Sequence, residues 1–279
     1  MPIPKIPLRE WVDAFEDWLN GHAGAVFDVM KIAIGSIVDG FEWTFELVPA
    51  PIMILLLTAI AYALGRFRLA LFTLIGFLLI WNLGLWEPTM QTLALVLTSA
   101  LISIVFGIPI GIWCAQNDRV QGTVTPVLDF MQTMPAFVYL IPAVSFFSLG
   151  AVPGVIASVI FAIPPTIRLT NLGIRQVPAD LVEAADAFGS TKSQKLFKLQ
   201  LPLAVPTMMA GVNQTIMLSL SMVVIASMIG AQGVGSKVLQ AITQLKTGVG
   251  FEAGLAVVIL AIVLDRFTQS MIRSNQRRG

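Results

Sequence analysis

Charge is scarce in this sequence: only 12% of its 279 residues are Asp, Glu, Lys or Arg, about half the roughly 25% of an average soluble domain. That excludes an ordinary soluble enzyme. Seventeen bases against sixteen acids leave a net charge of +1, so no global field gathers acidic substrates, and nucleic-acid binding is excluded. The single cysteine, Cys114, cannot close an internal disulfide, and the single histidine, His22, cannot build a metal cluster; redox and zinc chemistry lose their ligands. No nucleophile stands paired with a base, so no catalytic, cofactor-binding or metal residue is assigned. What abounds is apolar, with 56% hydrophobic residues and a mean hydropathy of +0.84. The chain reads as an all-α polytopic membrane protein.

The small net charge conceals an asymmetry. Residues 1–46 hold eight acids and three bases, net −5, which leaves +6 for the remainder. No cleavable signal is visible, because the first apolar stretch is punctured by Asp28, Lys31, Asp39 and Glu42. Within it Trp11, Phe15, Trp18, Phe27, Ile34, Phe41 and Phe45 recur at near-helical spacing, which predicts either amphipathic helices in the membrane interface or a soluble helical hairpin.

A crossing needs roughly 20 apolar residues. Uncharged runs supply six, Leu47 to Gly65, Leu69 to Trp86, Pro88 to Asn117, two within Phe130 to Ile167 and one within Leu199 to Ser236. Phe251 to Ile272, which carries Asp265 and Arg266 close to its end, brings the count to about seven. The expected division is an external amphipathic segment at 1–46, two spans at 47–88, a core at 89–272 with a cytoplasmic loop at 173–202, and a cytoplasmic tail at 273–279. Alternating the loops places Arg66, Arg68, Arg119, Arg168, Arg175, Lys192, Lys195, Lys198, Arg273, Arg277 and Arg278 on the loop side, against Lys5, Arg9, Lys31, Lys237 and Lys246 on the other. The positive-inside rule then puts the N-terminus outside and the C-terminus inside.

The 173–202 loop is patterned as two short helices. Asp180 and Glu183 have capping-box spacing, Leu181, Ala184, Ala185 and Phe188 share a helical face, and Gly189 is a natural left-handed terminator. Thr191 and Gln194 repeat the box, Leu196, Phe197 and Leu199 are apolar, and Pro202 is expected to stop the second helix. Two capped helices with exposed apolar edges require a partner surface.

The loop reads Glu183-Ala184-Ala185, three residues, Gly189, nine residues, then Leu199-Gln200-Leu201-Pro202. This resembles the EAA motif of permease subunits of binding-protein-dependent ABC importers, with Leu199 where isoleucine is usual. Residues 132–137 (QTMPAF), 163–168 (IPPTIR), 176–180 (QVPAD) and 230–235 (GAQGVG) are similar to the permeases of glycine betaine and related osmoprotectant importers. The likeness runs from about Leu69 to the C-terminus and is least distinctive before residue 46. It implies a type I ABC importer transmembrane domain in a prokaryotic cytoplasmic membrane. Two copies of the permease would form the path in the lipid bilayer, a cytoplasmic ABC ATPase dimer would bind ATP and magnesium, and an extracytoplasmic binding protein would deliver the solute. Glu183, Ala184, Ala185, Gly189, Leu199, Leu201 and Pro202 would couple to the ATPase. The permease itself would be no enzyme and hold no cofactor.

Other features stay open at this level. Residues 189–193 (GSTKS) lack phosphate-loop spacing. Gly107 and Gly111 permit close helix approach, within one subunit or between two. Pro135, Pro142, Pro164 and Pro165 give either kinks or a gate. Asn213, Gln214, Thr215, Ser219 and Ser221 make one span polar and are expected to turn inward, toward helix contacts or a solute path. An ATP-independent secondary transporter or channel is the competing function.

Overall fold

The computed structural model describes residues 7 to 276; Lys5, Arg277 and Arg278, which the charge count used, lie outside them. Helix α1 (Leu8–Leu47) is one 40-residue helix, so the expected set of N-terminal helices, and the hairpin alternative, give way to a single rod. It lies across one end of the bundle. Phe27 meets Phe146 and Phe147 with ring centroids at 4.7 and 5.5 Å, the open side of Gly35 faces Val152, and Ile34 and Val38 are buried in the main core.

The chain then bends by 105° into α2 (Ala50–Gly65), and α3 (Phe67–Asn82) follows. The residues from Ala50 to Asn82 are helical in conformation, yet the path reverses near residue 66. Ala61 shares a small buried cluster with Leu69 and Ala70, and Ala50 lines one cavity with Trp86. A straight helix would hold Ala50 and Asn82 about 48 Å apart at about 1.5 Å per residue, so α2 and α3 are the limbs of a tight hairpin.

Beyond it come α4 (Trp86–Gln116), α5 (Asp118–Thr133), a 3-10 turn (Ala136–Tyr139), α6 (Leu140–Phe147) and α7 (Ala151–Arg175). Then follow α8 (Ala179–Ala187), α9 (Lys192–Lys195), a π segment (Leu196–Gln200), α10 (Leu201–Ser227), α11 (Val234–Thr243) and α12 (Thr247–Gln276). Among the described residues, α4, α7, the run Lys192–Ser227 and α12 are each long and apolar enough to cross a membrane, and α5 with α6 makes a crossing broken by 106°. With the two hairpin limbs as short passes the count is about seven.

The core is the bundle of α4, α7 and α10, packed through small residues. A Cβ at Gly107 would sit 2.8 Å from Thr166, and one at Gly111 would sit 2.6 Å from Thr170. This glycine pair therefore serves packing inside the chain. Thr215 donates to the Ala162 carbonyl at 2.8 Å and lies 2.7 Å from the Thr166 hydroxyl, tying α10 to α7 beside Pro164 and Pro165. The α8–α9 elements occupy the end of the bundle opposite α1.

Candidate functional site

Helix α8 starts earlier than its capping pattern predicts. Its N-cap is Pro178, at φ −51° and ψ 132°, with no side-chain cap, so the Asp180–Glu183 box does not form. Proline pre-sets the backbone for helix entry, and Asp180 falls inside the first turn, where its charge still complements the helix dipole. The C-terminal end closes as anticipated: Gly189 has φ +75°, its N–H donates to the Asp186 carbonyl, and the Ser190 N–H reaches back to the Ala185 carbonyl. These are the paired bonds of a Schellman motif.

Across that corner the second capping box is complete. The Gln194 N–H donates to Thr191 Oγ1 at 3.3 Å, and the Thr191 N–H donates to Gln194 Oε1 at 2.9 Å. Lys195 Nζ then reaches both carboxylate oxygens of Asp186 at 2.7 Å, a cross-corner brace that motif spacing did not reveal. Leu196 is buried against Ile174, Ala204 and Met208 and plugs the corner into the bundle. Outward, Phe188 is 91% exposed, and Leu181 and Phe197 are exposed too; Glu183 and Ala184 are exposed and Ala185 is half-buried. Thr191→Ala should cost about 1 kcal/mol of local stability, read as faster amide exchange at residues 192–196 with unchanged exchange in α4.

Pro202 does not stop the second helix. Helix continues from Lys192 to Ser227, because residues Leu196–Gln200 form a π segment in which the Leu201 N–H donates to the Leu196 carbonyl. That wider turn shifts the hydrogen-bond register just where proline lacks an N–H. Leu199, Leu201 and Pro202 thus form the neck joining the corner to α10.

The residues proposed for a path separate. Pro135 stands at the break between α5 and α6, capping the 3-10 turn. Asn213 donates to Asp265 on α12 at 2.8 Å, Ser219 is buried, and Gln214 and Ser221 are exposed. At about 100° per residue, positions 214 and 221 share a face while 213 and 219 lie on others. The expected single polar face is therefore three, and Gln214 and Ser221 alone look away from the bundle.

Sequence reasoning overlooked the ionic fastenings of α5. Arg175 donates to Asp118 at 2.6 Å, to the Cys114 carbonyl at 2.9 Å and to Asn171 at 2.9 Å. Arg168 pairs with Asp129, and the Tyr139 hydroxyl donates to the Met131 carbonyl across the elbow. At the opposite end Glu42, Glu46 and Glu87 line a cavity of about 350 Å³ with Phe45 and Trp86. Burial first, then the neighbouring Asp39 and Glu46, pushes the Glu42 carboxyl above its ordinary range.

Residues 107–278 match the family described as binding-protein-dependent transport system inner membrane component. The chain is 57% identical over 277 residues to the glycine betaine transport system permease protein OpuAB of Bacillus subtilis (strain 168), covering 99% of this chain and 98% of that one. It is 58% identical over 272 residues to the glycine betaine/carnitine transport permease protein GbuB of Listeria monocytogenes serotype 1/2a (strain 10403S), covering 96% of each. Against the glycine betaine/proline betaine permease protein ProW of Escherichia coli (strain K12) identity is 49% over 274 residues, 98% of this chain and 77% of that one. Among solved structures, the inward-facing methionine ABC transporter MetNI superposes with a TM-score of 0.62 at 22% identity, over 66% of this chain and 93% of that one; this likeness is one of fold.

Proposed function

The chain belongs to the family of binding-protein-dependent transport system inner membrane components, and from that premise we propose that it translocates glycine betaine or a related quaternary ammonium solute for osmoprotection. It is a multi-pass permease with the type I importer fold. In the proposed complex two copies form the path, a cytoplasmic ATPase dimer docks on the α8–α9 corner and holds ATP and magnesium, and an external binding protein delivers the solute to the end covered by α1. The permease is the non-catalytic member.

The observation that carries the mechanism is the unbroken helix from Lys192 to Ser227. A partner gripping the exposed Phe188 and Phe197 moves α9, and the continuous backbone passes that movement to α10, whose Gln214 and Ser221 face away from the bundle. Polar groups on such a face are excluded by lipid, which supports its lining the route between the copies.

The test is reconstitution into liposomes with and without the ATPase and binding protein. Purified permease alone should hydrolyse no ATP and accumulate no betaine; the complete system should couple hydrolysis to uptake. Sustained accumulation against a gradient without the ATPase would instead establish the ATP-independent secondary transporter, and passive equilibration would establish a channel.

A further inference from the structure

Helix α5 is a rod between two breaks. At one end Asn117, extended at φ −142° and ψ 110°, separates it from α4; at the other Pro135 begins the elbow into α6. Its only buried residue among those described is Leu128, so packing holds it weakly. Two ion pairs fasten it to α7. Arg175 reaches Asp118 at the Asn117 end and is itself held by the Cys114 carbonyl of α4 and by Asn171 of its own helix. Arg168, seven residues earlier and about 10 Å along the helix, makes one bond, from Nη2 to Asp129 Oδ1. Its buried Nε has no partner among the described residues.

The Arg168 pair is also open to its surroundings. The Asp129 side chain is 59% and the Arg168 side chain 40% exposed, on the adjoining sides of α5 and α7. Helices α7 and α10 run antiparallel, with Gly211 against Pro165 and Thr215 against Ala162. That register sets the exposed Gln214 level with Ile163 and Pro164, little more than one turn from Arg168. Charged and polar groups exposed at one level require water or a facing protein.

We propose that the Asp129–Arg168 pair is a latch at the coupling-side mouth of the solute route, opening to let α5 swing about Asn117 and re-forming once per transport cycle. The proposal rests on the permease reading, and Asp129 and Arg168 act in it as positioning residues. Breaking the pair leaves the three bonds of Arg175, the Leu128 contact and the α4–α7–α10 core intact.

The test uses the complete complex in liposomes. Asp129→Asn and Arg168→Gln should insert and retain the ATPase at wild-type levels, but the ATP hydrolysed per solute imported should rise about three- to fivefold, the scale of one partly exposed ion pair. The exchanged double variant, Asp129→Arg with Arg168→Asp, should bring the ratio back toward wild type. Should the charge variants fail to accumulate, Asp129→Cys with Arg168→Cys in a Cys114→Ala background, bridged by a short disulfide-forming bis-thiol reagent and checked for bridging by gel shift, reads the same property: bridging should stop import, and reductant should restore it. An unchanged ratio in both single variants, an exchange no better than either, or import unaffected in the bridged protein would overturn the latch. Absence of import by the wild-type complex would instead overturn the permease reading.

Discussion

Replacing Gly111 by valine should remove the folded chain from the membrane. A Cβ there would lie 2.6 Å from Thr170 Cβ and 2.8 Å from the Ile167 carbonyl oxygen. Both belong to the framework of α7, and neither can rotate aside as the tip of a long side chain would. On an adjoining face α7 is held equally close, since a Cβ at Gly211 would lie 2.9 Å from the Pro165 carbonyl oxygen. Helix α7 cannot shift away from α4 without disturbing its contact with α10. Overpacking typically costs about 1–3 kcal/mol, and with two faces of α7 held this closely the cost should reach the top of that range. Membrane abundance and thermal unfolding in detergent measure it. Gly122→Val is the matched control, because a Cβ on that exposed residue of α5 meets nothing within 4 Å. Equal abundance of the two variants would refute the tight three-helix contact.

Valine at Gly189 should have the opposite profile: normal insertion, with ATPase association and uptake lost. A Cβ there also meets nothing within 4 Å, so the cost is confined to the backbone. At φ +75° a residue with a side chain is strained by roughly 1–2 kcal/mol, and a β-branched one by more. Relief comes from turning the corner, which breaks the Asp186 and Ala185 bonds and tilts α8 against α9. The spans, sharing none of these bonds, stay put. Glu183→Ala, by contrast, should leave stability near wild type, because Glu183 is exposed and completes no capping box. The measurements are membrane abundance, co-purified ATPase and solute uptake; wild-type uptake by Gly189→Val would show that the corner need not be rigid.

The sequence announces whatever depends on near neighbours. Uncharged runs mark the long apolar helices, and Thr191 with Gln194, or Gly189 after Phe188, are complete statements within four residues. It fails where two local signals compete or a distant element decides. Pro178 outbids Asp180 for the start of α8, since fixing a backbone angle needs no side-chain partner. Pro202 reads as a stop only if the hydrogen bonds must stay in α register, and the π segment removes that condition. Asn213, Gln214, Ser219 and Ser221 look like one polar patch when counted along the chain, but the facing of each depends on where α7 and α12 stand. Asp129 and Arg168 are 39 residues apart, and no local pattern links an acid to a base across such an interval. The residues expected to couple stand out by motif spacing; the braces that hold their corner together, Asp186, Lys195 and Leu196, carry no motif.

The wide turn at Leu196–Gln200 also sets a phase. An α-helix advances about 100° per residue, and a π turn accommodates one residue more than an α turn over the same length. The direction in which Phe197 points and the direction in which Gln214 points are thus offset by a fixed angle that the intervening backbone dictates. Shortening this neck by one residue would restore an ordinary helix and leave the segments on either side facing nearly as before, whereas deleting one residue from the regular α-helix of α10 beside it would turn everything beyond by about 100°. In the second case the proposed ATPase contact and the proposed solute-facing side would each keep their own residues and lose their alignment with one another, so the wide turn takes in an extra residue without disturbing that alignment.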